Sequence, residues 1–224
     1  MVELGQIALI LSFMMATYST VVGFAGGMLN GRDLAASARW GFYSICPLLI
    51  LATASLIYAF VTNDFSVKYV AENSNIAMPK IYSWVAFYSG NAGSLLYIAV
   101  AFSVMAGITI RILNSKLPYT SPYALGVMSM VLLFFLAVIL FLANPLDRHE
   151  IALEDGQGMN PLLIHFGMFI HPPFQMLGLI SVALPFSIAI GALLAGRGGR
   201  DEWVDQGRLW GMVSWLLLTT GLLL

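Results

Sequence analysis

The sequence predicts an all-α, polytopic membrane helical bundle of about six transmembrane helices plus a short outer interfacial helix. Three observations carry that prediction. The 224 residues are 59% hydrophobic and only 9% charged, whereas soluble domains are about 25% charged. Six long stretches contain no Asp, Glu, Lys or Arg, and a membrane helix needs about 20 apolar residues. The basic residues gather in alternate connections between those stretches. A single soluble domain and a disordered chain are both excluded, because neither is this apolar. A net charge of −1 provides no basic field for nucleic acid. The lone Cys46 excludes an internal disulfide and a cysteine-rich metal site.

The charge-free stretches are 4–31, 40–63, 81–110, 117–146, 156–196 and 209–224. The first four each accommodate one helix, predicted at about 4–29, 40–61, 83–113 and 122–144. The fifth is too long for one span and contains His165, His171, Pro172 and Pro173. It reads as a short outer-surface helix at about 161–169, re-entrant or interfacial, followed by a helix over 173–196. The sixth, 208–224, is slightly short for a full span. The amino terminus begins Met-Val-Glu without a basic segment, unlike a cleaved signal peptide. No internal repeat is visible, and residues 1–224 read as a single membrane domain.

Connections one, three and five carry Arg32, Arg39, Arg111, Lys116, Arg197, Arg200 and Arg208. Connections two and four carry Lys68, Lys80 and Arg148. The positive-inside rule puts the first set in the cytoplasm. The amino terminus, connection two (about 62–80) and connection four (about 145–172) then face outward. In connection two, residues 64–70 alternate in hydrophobicity, as in a short strand or extended loop. The aromatics Tyr69, Tyr82, Trp84, Phe87 and Tyr88 gather at the start of the third span and read as an aromatic belt.

The most distinctive run is Asp155-Gly-Gln-Gly-Met-Asn160-Pro-Leu-Leu, continuing to Gly167-Met-Phe-Ile-His171-Pro172-Pro173. A residue before proline is pushed away from the α region, and proline suits the first helical turn. His171 therefore sits at or just before a helix start, near the outer boundary. The positive end of the helix dipole is a poor place for a second positive charge, and a neutral imidazole is what haem iron takes as a ligand. Taken alone, His171 reads first as a histidine hydrogen-bonding in an interface and only second as a ligand. His165 lies six residues earlier, off the face a shared helix would give it, and reads as interfacial. His149 lies among charges and reads as solvated. The absence of Cys-x-x-Cys-His excludes a c-type cytochrome. Spans almost free of charge argue against a pump or proton antiporter.

Segments along nearly the whole chain carry a family pattern in order. They are Asp64-Phe-Ser-Val-x-Tyr69-Val-Ala-x-x-Ser74-Asn75, Gly93-Ser-Leu-Leu96, Asn144-Pro145, Asp155-Gly156-x-Gly158-x-Asn160-Pro-Leu-Leu163 and Gly167-Met-x-Ile-His171-Pro172-Pro173. Pro185-Phe186, Arg208-x-Trp210 and Trp215-x-x-Leu-Thr-x-Gly221 follow. The chain resembles the amino-terminal part of the CcmF-type haem lyase of cytochrome c maturation, and is similar to the related NrfE-type lyases. The 155–173 run is the specific part of the resemblance.

The resemblance implies a multi-pass protein of a bacterial-type inner membrane, with its amino terminus outside. It implies haem as cofactor, held at the outer face for covalent attachment to apocytochrome c. The implied partners are a haem chaperone, apocytochrome c, thiol-reducing maturation subunits, and a carboxyl-terminal part or second lyase subunit. His171 takes the position of the first of two outer histidines that ligate the iron. Pro172, Pro173, Asp155, Gly156 and Asn160 form the supporting outer loop. The family's tryptophan-rich haem cradle and second outer histidine have no counterpart here, so the chain reads as part of a longer or split lyase. In the third span, Tyr88, Asn91, Ala92 and Ile98 stand where relatives carry tryptophans, a histidine and a glutamate. The rival reading is a non-catalytic structural or transport subunit of a membrane complex, with His171 a helix-start feature only.

Overall fold

The computed structural model describes residues 1–151 and 153–223. Its helices are α1 (Val2–Met28), α2 (Arg32–Thr62), α3 (Lys68–Asn73), α4 (Ser83–Ser89), α5 (Asn91–Lys116), α6 (Ser121–Phe141), α7 (His171–Ser181), α8 (Ala183–Leu194) and α9 (Glu202–Leu223). Among the described residues five segments are long and apolar enough to cross a membrane: α1, α2, α5, α6 and the run Phe166–Leu194 that contains α7 and α8. The fold is therefore an all-α polytopic bundle.

Helix α1 packs along α2 and α6, α6 packs on α8, and α7 packs on α9. The core is a continuous apolar cluster that includes Phe42, Leu49, Phe60, Phe102, Leu132 and Ile188. Without a hydrophobic drive between helices in lipid, close packing and small residues hold such bundles together. The α7–α9 crossing illustrates this. A Cβ on Gly178 would lie 2.5 Å from the Leu218 nitrogen, and one on Gly221 would lie 2.6 Å from that of Gln175. Glycine on each helix lets the other backbone approach.

Several expected boundaries shift, for physical reasons. Helix α2 begins at Arg32 rather than about 40, and α9 at Glu202 rather than 208. Absence of charge marks the lipid-facing part of a helix, whereas the helix itself continues into polar residues. Helix α9 is the expected sixth segment, yet it is not among the five spans. Its first turns carry Glu202, Asp205 and Arg208, which shorten its apolar part. Its expected last residue, Leu224, lies outside the described residues.

The expected helix over 83–113 is two helices, α4 and α5, divided at Gly90. The expected helix over 173–196 starts at His171 and divides into α7 and α8 at Val182. Pro185 has no N–H to offer the carbonyl of Ser181 four residues back, which is where α7 ends. The expected surface helix over 161–169 is instead two single 3-10 turns, Pro161–Leu163 and Phe166–Phe169, separated by extended backbone at His165. The expected strand or extended loop over 64–70 is instead a turn, closed by the Val67 N–H on the Asp64 carbonyl at 3.1 Å, and only Val67 is extended, forming an isolated antiparallel bridge with Arg148. The chain then turns into α3. The alternation is real as far as it goes, since Phe65 and Val67 are buried.

Candidate functional site

The amino terminus, the α2–α5 connection and the α6–α7 connection meet at one end of the bundle. Arg148 reaches to 3.7 Å from Glu3 in an exposed pair. The Lys68 N–H donates to the Asp147 carbonyl at 2.9 Å, and the His149 N–H to the Ser66 carbonyl at 2.8 Å. Further on, the Gln157 N–H donates to the Ala71 carbonyl (2.7 Å) and the Gly158 N–H to the Ser74 carbonyl (3.1 Å). The Asp155 Oδ1 accepts from the backbone of Ile76 (2.9 Å) and of Gly156 (2.7 Å).

These bonds explain the Asp-Gly-x-Gly spacing. A Cβ on Gly156 would lie 2.0 Å from the Ser74 carbonyl oxygen and 2.7 Å from that of Ala71. Only glycine lets the two connections approach this closely. Gly158 has φ +85°, the left-handed region that favours glycine. Asn160 accepts from the Leu162 N–H at 3.0 Å and caps the first 3-10 turn. Asp155, Gly156 and Asn160 thus use the polar groups described here to brace the loop that leads to α7.

Tyr69 in α3 is the second brace. Its hydroxyl accepts from the Gly90 N–H at 2.9 Å and lies 3.1 Å from the Phe87 carbonyl, to which it can donate. Burial pushes its phenol up to about 12. At the Gly90 break, a Cβ on Gly93 would lie 1.7 Å from the Phe87 carbonyl oxygen. The α4–α5 break is therefore held by Tyr69 and made sterically feasible by Gly93.

His171 opens α7, with Pro172 and Pro173 in the first turn. The segment ahead of it is tied down by the Tyr88 hydroxyl, which donates to the Met168 carbonyl at 2.7 Å. The Phe169 ring centroid lies 5.5 Å from that of Tyr82. The His171 ring is half-buried, and among the described residues neither of its nitrogens has a hydrogen-bond partner. His165 differs: its Nδ1 accepts from the Gly167 N–H at 3.0 Å and caps the second 3-10 turn. His149 is half-buried in the connection between α6 and α7. Between α2, α4, α5 and α7 lies an apolar cleft of about 290 Å³, lined by Trp84, Phe87, Tyr97 and Leu177 among others.

An unpartnered imidazole at a stiff helix start is suited to ligate one face of a haem iron. Among the described residues no cluster of three or more His, Cys, Asp and Glu forms a metal cage. The described residues thus offer a single unpartnered nitrogen donor, His171, which would suit one ligand position of a haem iron.

The roles of Tyr69 and Tyr88 were not legible in the sequence, where both belong to an ordinary aromatic belt. Both are at most 5% exposed, and their hydroxyls bond to backbone. The family pattern held one signal, since Tyr69 stands within its second-connection segment.

No family model matches the chain. Curated proteins do. A cytochrome c-type biogenesis protein CcmF of Pseudomonas fluorescens is 36% identical over 229 residues, covering 99% of this chain and 34% of that protein. A cytochrome c-type biogenesis protein NrfE of Haemophilus influenzae is 30% identical over 224 residues, covering 99% of this chain and 35% of that protein. In fold, the solved structure of a cytochrome c heme lyase CcmF matches with a TM-score of 0.82 at 22% identity, over 98% of this chain and 34% of that one. The chain thus spans about a third of the length of each. From end to end, in sequence and in fold, this chain is a relative of the CcmF-type cytochrome c-type biogenesis proteins, matching about one third of their length.

Proposed function

We propose that this chain is a haem-handling part of c-type cytochrome maturation, which positions haem at the outer membrane face for covalent attachment to apocytochrome c. The observation that carries this reading is the His171 imidazole, unpartnered among the described residues at the first position of α7. The relatives named cytochrome c-type biogenesis proteins support it. Haem, when bound, supplies the vinyl groups that become joined to the thiols of the apocytochrome. The chain's own residues do the positioning. His171 offers a nitrogen to the iron. Pro172 and Pro173 stiffen the backbone behind it. The Asp155–Asn160 loop and the Tyr88 hydroxyl fix where α7 begins. A His171 nitrogen held at a fixed helix start would limit the orientations in which a bound haem could meet incoming thiols.

In this reading the end bearing the amino terminus faces outward, a placement that the excess of basic residues at the opposite end supports. The remaining iron ligand and the rest of the haem surface come from a further part of the lyase or a second subunit. A haem chaperone delivers the haem, and thiol-reducing subunits keep the apocytochrome thiols free.

The test is His171→Ala in cells that depend on this protein for cytochrome maturation. Haem staining of c-type cytochromes should be lost while the membrane level of the variant stays near wild type. Full staining at normal protein level would remove His171 from the haem path.

A further inference from the structure

The opposite, basic end of the bundle holds a second feature, unrelated to His171. Helices α1 and α2 turn sharply at Asn30, whose φ is +49°, beside the α5–α6 turn. Between them lies a pocket of about 540 Å³, lined by Asn30, Gly31, Arg32, Arg39, Asn114 and Tyr119 among others. Among the described residues no Asp or Glu lines it. The Arg39 Nη1 donates to the Asn114 Oδ1, which aims the guanidinium along the pocket wall. A third arginine stands over one of the lining rings: the Arg197 guanidinium carbon lies 4.5 Å from the centre of the Tyr119 ring.

The positive charge gathered here is uncompensated locally. Among the described residues the carboxylate ion pairs are Arg148–Glu3 and Arg208–Asp205, and none involves Arg32, Arg39 or Arg197. Asp33 shares the first turn of α2 but is exposed and does not line the pocket. Helix α2 also starts at the pocket, with Gly31 at its cap and no side chain bonded to its first N–H groups. Those groups add donors and a positive dipole end to the arginines. Forked arginines and free backbone donors together match a phosphate. The surroundings indicate its carrier. Met28, Leu29 and Trp40 flank the site and are 68%, 71% and 73% exposed, an apolar apron along which acyl chains can lie. Basic pockets between membrane helices at the cytoplasmic side suit anionic lipid head groups.

We propose that this pocket binds the phosphate of an anionic phospholipid, with Arg32 and Arg39 as its charged donors and the acyl chains running past Leu29 and Trp40. The bound head group clamps the α1–α2 turn to the α5–α6 turn.

The test counts lipids retained by the purified chain after reconstitution in mixed phosphatidylcholine and phosphatidylglycerol nanodiscs, read by native mass spectrometry. Wild type should keep one phosphatidylglycerol in preference to phosphatidylcholine. Arg32→Gln with Arg39→Gln should lower that retention by about tenfold or more, since the loss of even one charged hydrogen bond is worth about tenfold. Arg111→Gln, at the same end but away from the lining, should leave it unchanged. Equal loss in Arg111→Gln would reduce the effect to diffuse attraction and overturn the proposal. Unchanged retention in the double variant would overturn it too. Displacement of the lipid by an equal concentration of inorganic phosphate would identify free phosphate as the ligand instead. If the double variant fails to fold by circular dichroism, the wild-type preference decides alone, and equal retention of both lipids overturns the site.

Discussion

The Tyr88 hydroxyl donates to the Met168 carbonyl at 2.7 Å, which ties α4 to the segment three residues ahead of His171. The two residues are 80 positions apart and belong to different connections. This bond passes order from the bundle core into the approach to α7, since Tyr88 is 3% exposed while Met168 is only half-buried.

Tyr88→Phe should therefore loosen residues 165–170 without unfolding the bundle. A neutral hydrogen bond of this kind contributes about 1 kcal/mol. Amide hydrogen exchange over 165–170 should quicken severalfold, while exchange in α5 and α6 stays as in wild type. Uniformly faster exchange would mean that the hydroxyl supports the whole bundle rather than this segment.

The Tyr69 hydroxyl gives the fold an alkaline limit. Burial raises its phenol from the usual value near 10 to about 12, so the folded state keeps a proton that the unfolded chain gives up. That contribution is complete below pH 10 and is lost as pH rises towards 12, amounting to about 2–3 kcal/mol at most. Tyr88, also raised to about 12 by burial, acts in the same direction. Tyr69→Phe removes the acceptor of the Gly90 N–H and should lower stability at neutral pH by about 1–3 kcal/mol. Its thermal midpoint should then fall less between pH 10 and 12 than that of wild type. Parallel curves would show that Tyr69 does not titrate with unfolding.

Gly156→Ala should separate the α2–α5 and α6–α7 connections. The added Cβ would stand 2.0 Å from the Ser74 carbonyl oxygen, and a backbone oxygen cannot swing aside as a side chain can. Overpacking of this kind costs about 1–3 kcal/mol, and more where the neighbour is rigid. Limited proteolysis should cut within 149–160 in the variant and spare the same segment in wild type. Protection in both would mean that the loops dock without Gly156.

What was legible in the sequence follows from which forces act locally. The spans could be found because lipid excludes charge, so charge-free stretches locate them whatever their neighbours are. The start of α7 could be found because Pro172 and Pro173 restrict their own backbone. The break at Gly90 could not, since it depends on the Tyr69 hydroxyl, which arrives from 21 residues away. Nor could the 3-10 turns around His165, whose segment is tied down by the Tyr88 hydroxyl from 80 residues away. Asp155, Gly156 and Asn160 were recognisable as a motif, but their hydrogen bonds to Ile76, the close pass at Ser74 and the cap on Leu162 exist only once the two connections meet.

The three histidines should separate cleanly by function. His165 has its Nδ1 engaged by the Gly167 N–H, so replacing it removes a cap on a single 3-10 turn, an effect of about 1 kcal/mol. His149 contributes its backbone N–H to Ser66, and an alanine there keeps that bond. His171 alone leaves both ring nitrogens without a partner among the described residues, and its ring sits at a backbone position fixed by two prolines. His171→Gly should therefore remove haem attachment while leaving the fold intact, and the vacated space should admit a free imidazole. Added imidazole should restore part of the c-type cytochrome haem stain in His171→Gly cells and none in His171→Trp cells, where the indole fills the space. His165→Ala and His149→Ala should retain most of the stain without any addition. Loss of stain in His165→Ala together with full stain in His171→Ala would move the iron ligand to His165, and the 3-10 turn that it caps would then have to open before the ring could reach the metal.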